Sequence, residues 1–375
     1  MAVSRGARGL TTDALTSEHL RRLAGPGRLA LLLVAAVFAC WLPFQLSQFD
    51  VGLYDRMGLY ALVALGLTLL MGFAGQVSLG QGAFFLIGAY TSGLLTVGLD
   101  PDKRLVDVNA GIDPLLAVAI APVVAAVVAA VIGVPLLRLR GHYLAFATLA
   151  FHLIMASLLY AQDRFTGGQY GVTVTKPLEI GGHAISGATH AAVVWGLVAV
   201  ALLLSANLVR SRAGRALQAI ATSEPAAASA GINVAMFKLR LFVLAAALAG
   251  LAGGLFTFYA QFLGPEDFVI VLSLQFVVMV AVGGLGNVYG AVVGTVSILY
   301  LEHRLRDLGT RETLLGWDLP PQAPTILSLG VFGLILILVM LFFPHGLLPA
   351  LLDALRGVGR RLKRPHTGAR QPSRS

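Results

Sequence analysis

Charged side chains are absent from eight long stretches of the chain: residues 29–49, 57–99, 114–137, 141–162, 180–209, 241–265, 268–301 and 319–352. The stretches are predominantly apolar. Each holds the ~20 residues that an α-helix needs to cross a hydrocarbon layer about 30 Å thick. A charge at the centre of such a helix costs about 2.5–3.5 kcal/mol on insertion scales, so clean windows are what a lipid environment selects. The windows 57–99 and 268–301 are long enough for two helices each, and each contains a natural break. The first lies at Gly72-Phe73-Ala74-Gly75-Gln76-Val77-Ser78-Leu79-Gly80-Gln81-Gly82, the second at Gly283-Gly284-Leu285-Gly286-Asn287. Glycine frees the backbone for reversal, and Gln, Ser and Asn can satisfy amide groups there. The pattern predicts an all-α polytopic membrane protein with ten transmembrane helices.

Composition agrees. Of 375 residues 57% are hydrophobic and 12% charged, about half the ~25% of a soluble domain. The distribution of charge then sets the orientation. With ten crossings and a cytoplasmic N-terminus, the inside segments are 1–28, the 74–82 turn, 138–142, 210–240, the 284–288 turn and 353–375. These hold 19 basic and 4 acidic residues, whereas the outside loops hold 8 basic and 14 acidic ones. Excess Lys and Arg on the cytoplasmic side predict N-in/C-in topology. The net charge of +9 is therefore an orientation and lipid-anchoring signal, and no nucleic-acid partner is expected. Residues 1–28 form a basic cytoplasmic arm, 29–352 a transmembrane domain, and 353–375 a basic cytoplasmic tail.

The candidate chemistry is mostly that of a non-enzyme. Cys40 is the only cysteine, and the eight histidines show no His-x-x-x-His spacing, so neither a disulfide framework nor a zinc site is expected. A phosphate-cradling loop needs Gly-Lys-Ser/Thr, but none of the four lysines follows a glycine. Any ATP that drives this protein must be bound, with its Mg, by another chain.

Residues 210–240 make the longest internal cytoplasmic loop, and two short helices are expected in it. Ser211 to Thr222 is rich in helix formers; Ser223-Glu224-Pro225 is a start signal, and Gly231 a stop. A short small-residue helix on a basic loop suits docking into another protein's groove, and the plain alternative is a surface loop on anionic headgroups.

The order of motifs resembles the permease subunits of branched-chain amino acid ABC importers, of the LivM type. The resemblance runs from Leu59 through Gly72-Phe73-Ala74-Gly75-Gln76-Val77-Ser78-Leu79-Gly80-Gln81-Gly82 and Arg138-Leu139-Arg140-Gly141-His142-Tyr143. It continues through Thr166-Gly167-Gly168-Gln169-Tyr170-Gly171, Gly214-Arg215-Ala216-Leu217, Ala226-Ala227-x-x-x-Gly231 and Gly283-Gly284-Leu285-Gly286-Asn287 to Phe343-Pro344-His345-Gly346-Leu347. It implies a subunit that forms a pathway with a second homologous permease, two cytoplasmic ABC ATPase subunits and an extracytoplasmic substrate-binding protein, in a bacterial inner membrane. The Ala226-Ala227-x-x-x-Gly231 pattern resembles the loop by which such permeases couple to the ATPase, which nominates Arg212, Gly214, Arg215, Glu224, Pro225, Ala226, Ala227 and Gly231. Pro225 stands where that motif has its acid, and Glu224 lies one place earlier.

For the pathway, polar residues at membrane depth are the candidates. They are Gln76, Ser78 and Gln81 at the first break, Thr148 and His152 four apart on one helix face, and Gly167 and Gly168 in an external turn. Gly283, Gly284, Gly286 and Asn287 are expected to make a helix hairpin. The substrate class implied by the resemblance is branched-chain or other hydrophobic amino acids, with urea, short amides or small carboxylates as the alternative. The competitor from another class is an ion-coupled secondary transporter, which calls for buried Asp, Glu, Lys or Arg; the expected spans contain none.

Overall fold

A computed structural model describes residues 26–97, 112–139, 141–162, 166–174, 176–180 and 182–309, with short pieces beyond residue 309. The basic arm up to residue 25, the tail, almost all of the 319–352 window, Arg140 and Phe343-Pro344-His345 lie outside the described residues. The described residues are mostly helical, in the order α1 (Pro26–Trp41), α2 (Gln48–Thr68), α3 (Gln81–Thr96), α4 (Pro114–Leu136), α5 (His142–Ala161), α6 (Ala188–Arg210), α7 (Arg212–Thr222), α8 (Glu224–Ser229), α9 (Val234–Ala260), α10 (Ile270–Gly283) and α11 (Val288–Gly309).

The helix starts reflect local chemistry. Ser47 caps α2, its hydroxyl accepting from Asp50 N at 3.3 Å. Asp113 caps α4 through Leu115 N at 2.9 Å with Pro114 in the first turn, and Asn233 caps α9 through Met236 N at 3.1 Å. Because of the Ser47 cap, α2 begins well before residue 57, and Asp55 and Arg56, expected in an outside loop, sit inside a helix.

By length and composition five helices can each cross a membrane: α2 with its π-turn extension Leu69–Phe73, α4, α5, α6 and α9. The pair α10 and α11 passes that test only together, and is bent by 118° at its break. The breaks fall where glycine and polar residues were expected to place them, at 74–80 and 284–287. The helices that adjoin the breaks, however, are not all full spans. Helix α3 has 16 residues and α10 has 14, which at 1.5 Å per residue is about 24 and 21 Å, short of the ~30 Å core. The described residues thus hold five spans, or six with the bent pair, rather than ten complete crossings. Both ends of α3, at Gln81 and Thr96, and the Gly283 end of α10 are buried in protein, which satisfies them in place of lipid.

Helices α2 and α9 form the centre, with α3 and α4 packed on α9, and α1 and α6 outside α2. Helices α4, α5 and α6 present large apolar faces outward, including Val123, Val127, Phe146, Ile154 and Leu204. The central contact is close because it is built on glycine. A Cβ at Gly253 would stand 1.9 Å from the Phe85 carbonyl oxygen, and one at Gly88 would stand 2.1 Å from that of Gly250. Lipid supplies no hydrophobic drive between helices, so such backbone approach supplies the dispersion contact instead. Phe85 also stacks with Phe256, Phe268 and Phe276 at centroid distances of 5.2 to 6.0 Å.

Two ends of the bundle are distinct. At one, Gly72 abuts the Gly286 backbone, Gly346 abuts Gly284, and Gly75 lies 3.8 Å from Ala221 of α7, measured from the position a Cβ would take. At the other, strand β1 (Val172–Thr173) pairs antiparallel with β4 (Phe262–Leu263), beside a hairpin of β2 (Leu178–Ile180) and β3 (His183–Ile185).

Candidate functional site

At the junction between α2 and α3 the backbone leaves the helix among largely buried residues. After the π-turn, the amides of Ala74 and Gln76 both bond the Leu70 carbonyl, at 3.3 and 3.0 Å, and Gly75 takes φ +63°. The chain then runs irregularly until Gln81 restarts the helix. Its backbone donors are met from α5 and α10. Leu79 N donates to Thr148 Oγ1 at 2.9 Å, and that hydroxyl donates back to Ala145 O. Gly82 N donates to Ser273 Oγ at 2.9 Å, and Ser273 Oγ lies 2.7 Å from His152 Nδ1. His152 Nε2 lies 3.0 Å from the Phe268 carbonyl oxygen.

These contacts determine the imidazole tautomer. A carbonyl only accepts, so Nε2 carries the hydrogen; Nδ1 then accepts from the Ser273 hydroxyl, whose oxygen accepts from Gly82. Every link is satisfied and His152 is wholly buried. Sequence spacing puts Thr148 and His152 on one face; the structure shows that this face grips the broken junction and the start of α10. A Cβ at Gly82 would meet His152 at 2.5 Å, so the glycine is what lets the helix end reach the histidine.

Gln76, Ser78 and Gln81 are also buried at this junction. Ser78 Oγ receives Gly80 N at 3.5 Å. The two glutamine amides differ: neither the oxygen nor the nitrogen of either has a hydrogen-bond partner. Buried polar atoms without partners are rare in native proteins, and each calls for an explanation. Gly167 and Gly168 are not part of this cluster. They lie beyond the far end of α5, in a turn with φ of +72° and +52° that carries the exposed Tyr170.

Sequence reasoning missed a second polar contact. Asp55 Oδ2 of α2 meets His190 Nδ1 of α6 at 2.6 Å, and both residues are buried. The expectation that the spans contain no buried Asp, Glu, Lys or Arg is therefore corrected. A window defined by lack of charge cannot contain Asp55, but the Ser47-x-x-Asp50 start signal places the helix origin upstream of it. Beside the pair, Tyr54 stacks on Trp195 at 4.7 Å, Trp195 Nε1 donates to Tyr54 O, and the Tyr54 hydroxyl donates to Ala39 O. Arg56 lies over the Tyr60 ring at 5.2 Å.

The loop after α6 forms the two helices expected there. Ser211 caps α7 through Gly214 N at 3.3 Å, and Ser223 caps α8 through Ala226 N at 3.4 Å. Gly214 is needed for proximity, since a Cβ there would stand 2.1 Å from Val209 O, whereas Gly231 meets nothing and is needed for its φ of +80°. The amides of Gly231 and Ile232 close the end of α8 on Ala228 O and Ala227 O. Leu217, Ile220 and Ala227 are buried; Arg212, Arg215, Pro225, Ala226, Ala228, Ser229 and Gly231 are not. Glu224 pairs with Lys238 of α9. Gly283, Gly284, Gly286 and Asn287 form the bend between α10 and α11, with Gly284 and Gly286 at φ +106° and +88°.

Multiple apolar helices joined by glycine-mediated contacts are the build of a multi-pass membrane protein. Residues 52–340 match the family described as branched-chain amino acid transport system / permease component, and the chain belongs to that family. It is 30% identical over 345 residues to the high-affinity branched-chain amino acid transport system permease protein LivM of Escherichia coli strain K12, covering 86% of this chain and 74% of that one. With LivM of Salmonella typhimurium strain LT2 it shares 28% identity over 346 residues, 86% of this chain and 75% of that protein. The permease protein LivH of the same strain is 27% identical over 306 residues, 77% of this chain and 91% of that protein. No solved structure matches the chain. The family relation disfavours the ion-coupled alternative, and the Asp55–His190 pair is read as a contact between helices.

Proposed function

We propose that the chain is the pathway-forming permease of an importer for branched-chain or other hydrophobic amino acids in a bacterial inner membrane. It works with a second homologous permease, two cytoplasmic ABC ATPases that bind ATP and Mg, and an extracytoplasmic binding protein. The observation that carries this reading is family membership across 52–340, a range that includes the α7–α8 unit.

Ten membrane segments with both termini in the cytoplasm remain the proposed topology, α3 and α10 being short ones. Support comes from the bundle ends. The ten-segment count taken with the charge distribution assigns the 74–82 turn, the 284–288 turn and the 210–240 loop to the cytoplasm, and all three meet at one end of the structure. In this topology the exposed face of α8 is offered to an ATPase, while Gly75 beside Ala221 connects α7 to the α2–α3 junction. ATP-driven motion of the loop thereby reaches Gln76 and Gln81, the proposed pathway residues. Closure and opening of that junction alternate access, and a zwitterion passing it supplies the partners that the two amides lack.

Uptake of radiolabelled leucine by the reconstituted complete transporter tests the reading. ATP-dependent uptake is expected, and it should be lost with Ala228→Trp, which enlarges the exposed face of α8. Normal uptake in that variant would remove the docking role. Topology is tested separately after Cys40 is replaced: cysteines placed in 102–110 should react with an impermeant reagent in intact cells, and those in 216–222 should not.

A further inference from the structure

Between Ser211 and Asn233 the charged residues are Arg212, Arg215 and Glu224. The acid is already engaged, because Lys238 Nζ donates to Glu224 Oε1. Lys238 lies in the second turn of α9, and its side chain is only 13% exposed, against 42% for Glu224. The link between the two helices is short and fixed. It consists of Ala230 to Asn233, with Gly231 left-handed and Asn233 capping α9. The ion pair closes this turn from the other side, so α8 cannot swing on its linker without breaking it.

We infer that Lys238 is a positioning residue that holds α8 on α9 through Glu224, and that the ATPase meets an uncharged α8 surface together with Arg212 and Arg215. Resting on the docking role proposed above, this names the partner's chemistry. With Glu224 compensated internally, α7 and α8 present two positive charges, Arg212 and Arg215, and no free negative one. Pro225, Ala226, Ala228, Ser229 and Ala230 form a small smooth knob, which fits a shallow apolar groove. Arg212 and Arg215, one turn apart on α7, call for carboxylates at the rim of that groove. No cation is required opposite α8.

The test uses the complete reconstituted transporter, reading substrate uptake per ATP hydrolysed and retention of the ATPases during purification. Lys238→Met leaves Glu224 uncompensated on a loosened helix, and is expected to lower coupled uptake by about tenfold, the size of a lost partly buried charge contact. Glu224→Gln with Lys238→Met should restore it to within about threefold, as should the exchange Glu224→Lys with Lys238→Glu, because removing or reversing both members leaves no unpaired charge. Were Glu224 instead bound to a cation of the ATPase, Lys238→Met would be nearly silent and both double variants would stay defective; that pattern overturns the inference. The neutral double variant decides the matter if the exchanged one does not insert. Arg212→Glu with Arg215→Glu should release the ATPases, more so as salt is lowered, since like charges then face each other less screened. Undiminished retention overturns the acidic rim. If Ala228→Trp leaves ATPase retention and uptake intact, the docking role itself fails; if it abolishes them while the doubles remain dead, only the present inference fails.

Discussion

The α2–α3 junction and the α7–α8 loop are both irregular, glycine-containing and central to the proposed coupling, yet they differ in how far their polar groups are satisfied from within. In the junction glycine removes bulk: Gly72, Gly80 and Gly82 each have protein atoms closer than a Cβ tolerates. In the loop Gly214 likewise removes bulk at the start of α7, but Gly231 at the end of α8 has open space and supplies only backbone conformation. The polar groups divide in the same way. Thr148, His152 and Ser273 tether the junction's backbone at Leu79 and Gly82, whereas the loop leaves most of its surface accessible. A region at membrane depth must satisfy its backbone internally, since lipid offers no partners; a region in water can leave its surface available to a partner. The side-chain amides of Gln76 and Gln81 lack partners, and this makes them the better pathway candidates, ahead of the fully engaged His152.

Substitutions can break or sharpen this contrast. The largest effect is expected at the glycine contacts on which the junction's helix rests. Gly253→Val or Gly88→Val drives a side chain into a carbonyl oxygen, and should abolish folding, a loss beyond the ~4–5 kcal/mol that marks exceptional single mutations; monodisperse protein after detergent extraction would refute it. Asp55→Ala strands a buried histidine and should cost about 3–5 kcal/mol, read as a fall in the thermal midpoint, with Asp55→Leu plus His190→Leu recovering much of it. Ser273→Ala removes the acceptor of Gly82 N and the donor to His152, for about 1–3 kcal/mol; an equal loss from Thr148→Val would show both tethers of the junction to matter alike.

The loop should be far more tolerant. Gly231→Ala meets no atom but must hold a left-handed backbone, at about 1–2 kcal/mol. Ala228→Trp should leave the thermal midpoint within about 0.5 kcal/mol of the parent, as exposed substitutions usually do, while abolishing coupled uptake. Ala227 is the wrong place for this test despite its position in the motif, because it is 3% exposed and enlargement there would disturb packing as well as docking. A fall in stability with Ala228→Trp comparable to that with Ser273→Ala would erase the distinction between the two regions.

Much of this architecture is legible from residue order. The helix breaks at 74–80 and 284–287 come from glycine and polar side chains interrupting apolar windows, and the bounds of α7 and α8 from Ser211, Ser223 and Gly231. Asp55 is not legible in that way, because a search for spans by absence of charge removes any span that carries one. Nor is the pairing of Glu224: Lys238 is 14 residues away, beyond any helical i, i+4 relation, and only the turn at Gly231 brings the two together.

By itself, then, the sequence determined class, family and the proposed sidedness, because these depend on sums over many residues: apolar length, the placement of 45 charged residues and ordered motifs. The tertiary structure alone decided which polar residues are already used. Whether His152 is satisfied, Gln76 orphaned or Glu224 compensated depends on atoms within about 3 Å contributed by helices distant in sequence, and a hydrogen bond or ion pair is a property of that contact and not of either residue.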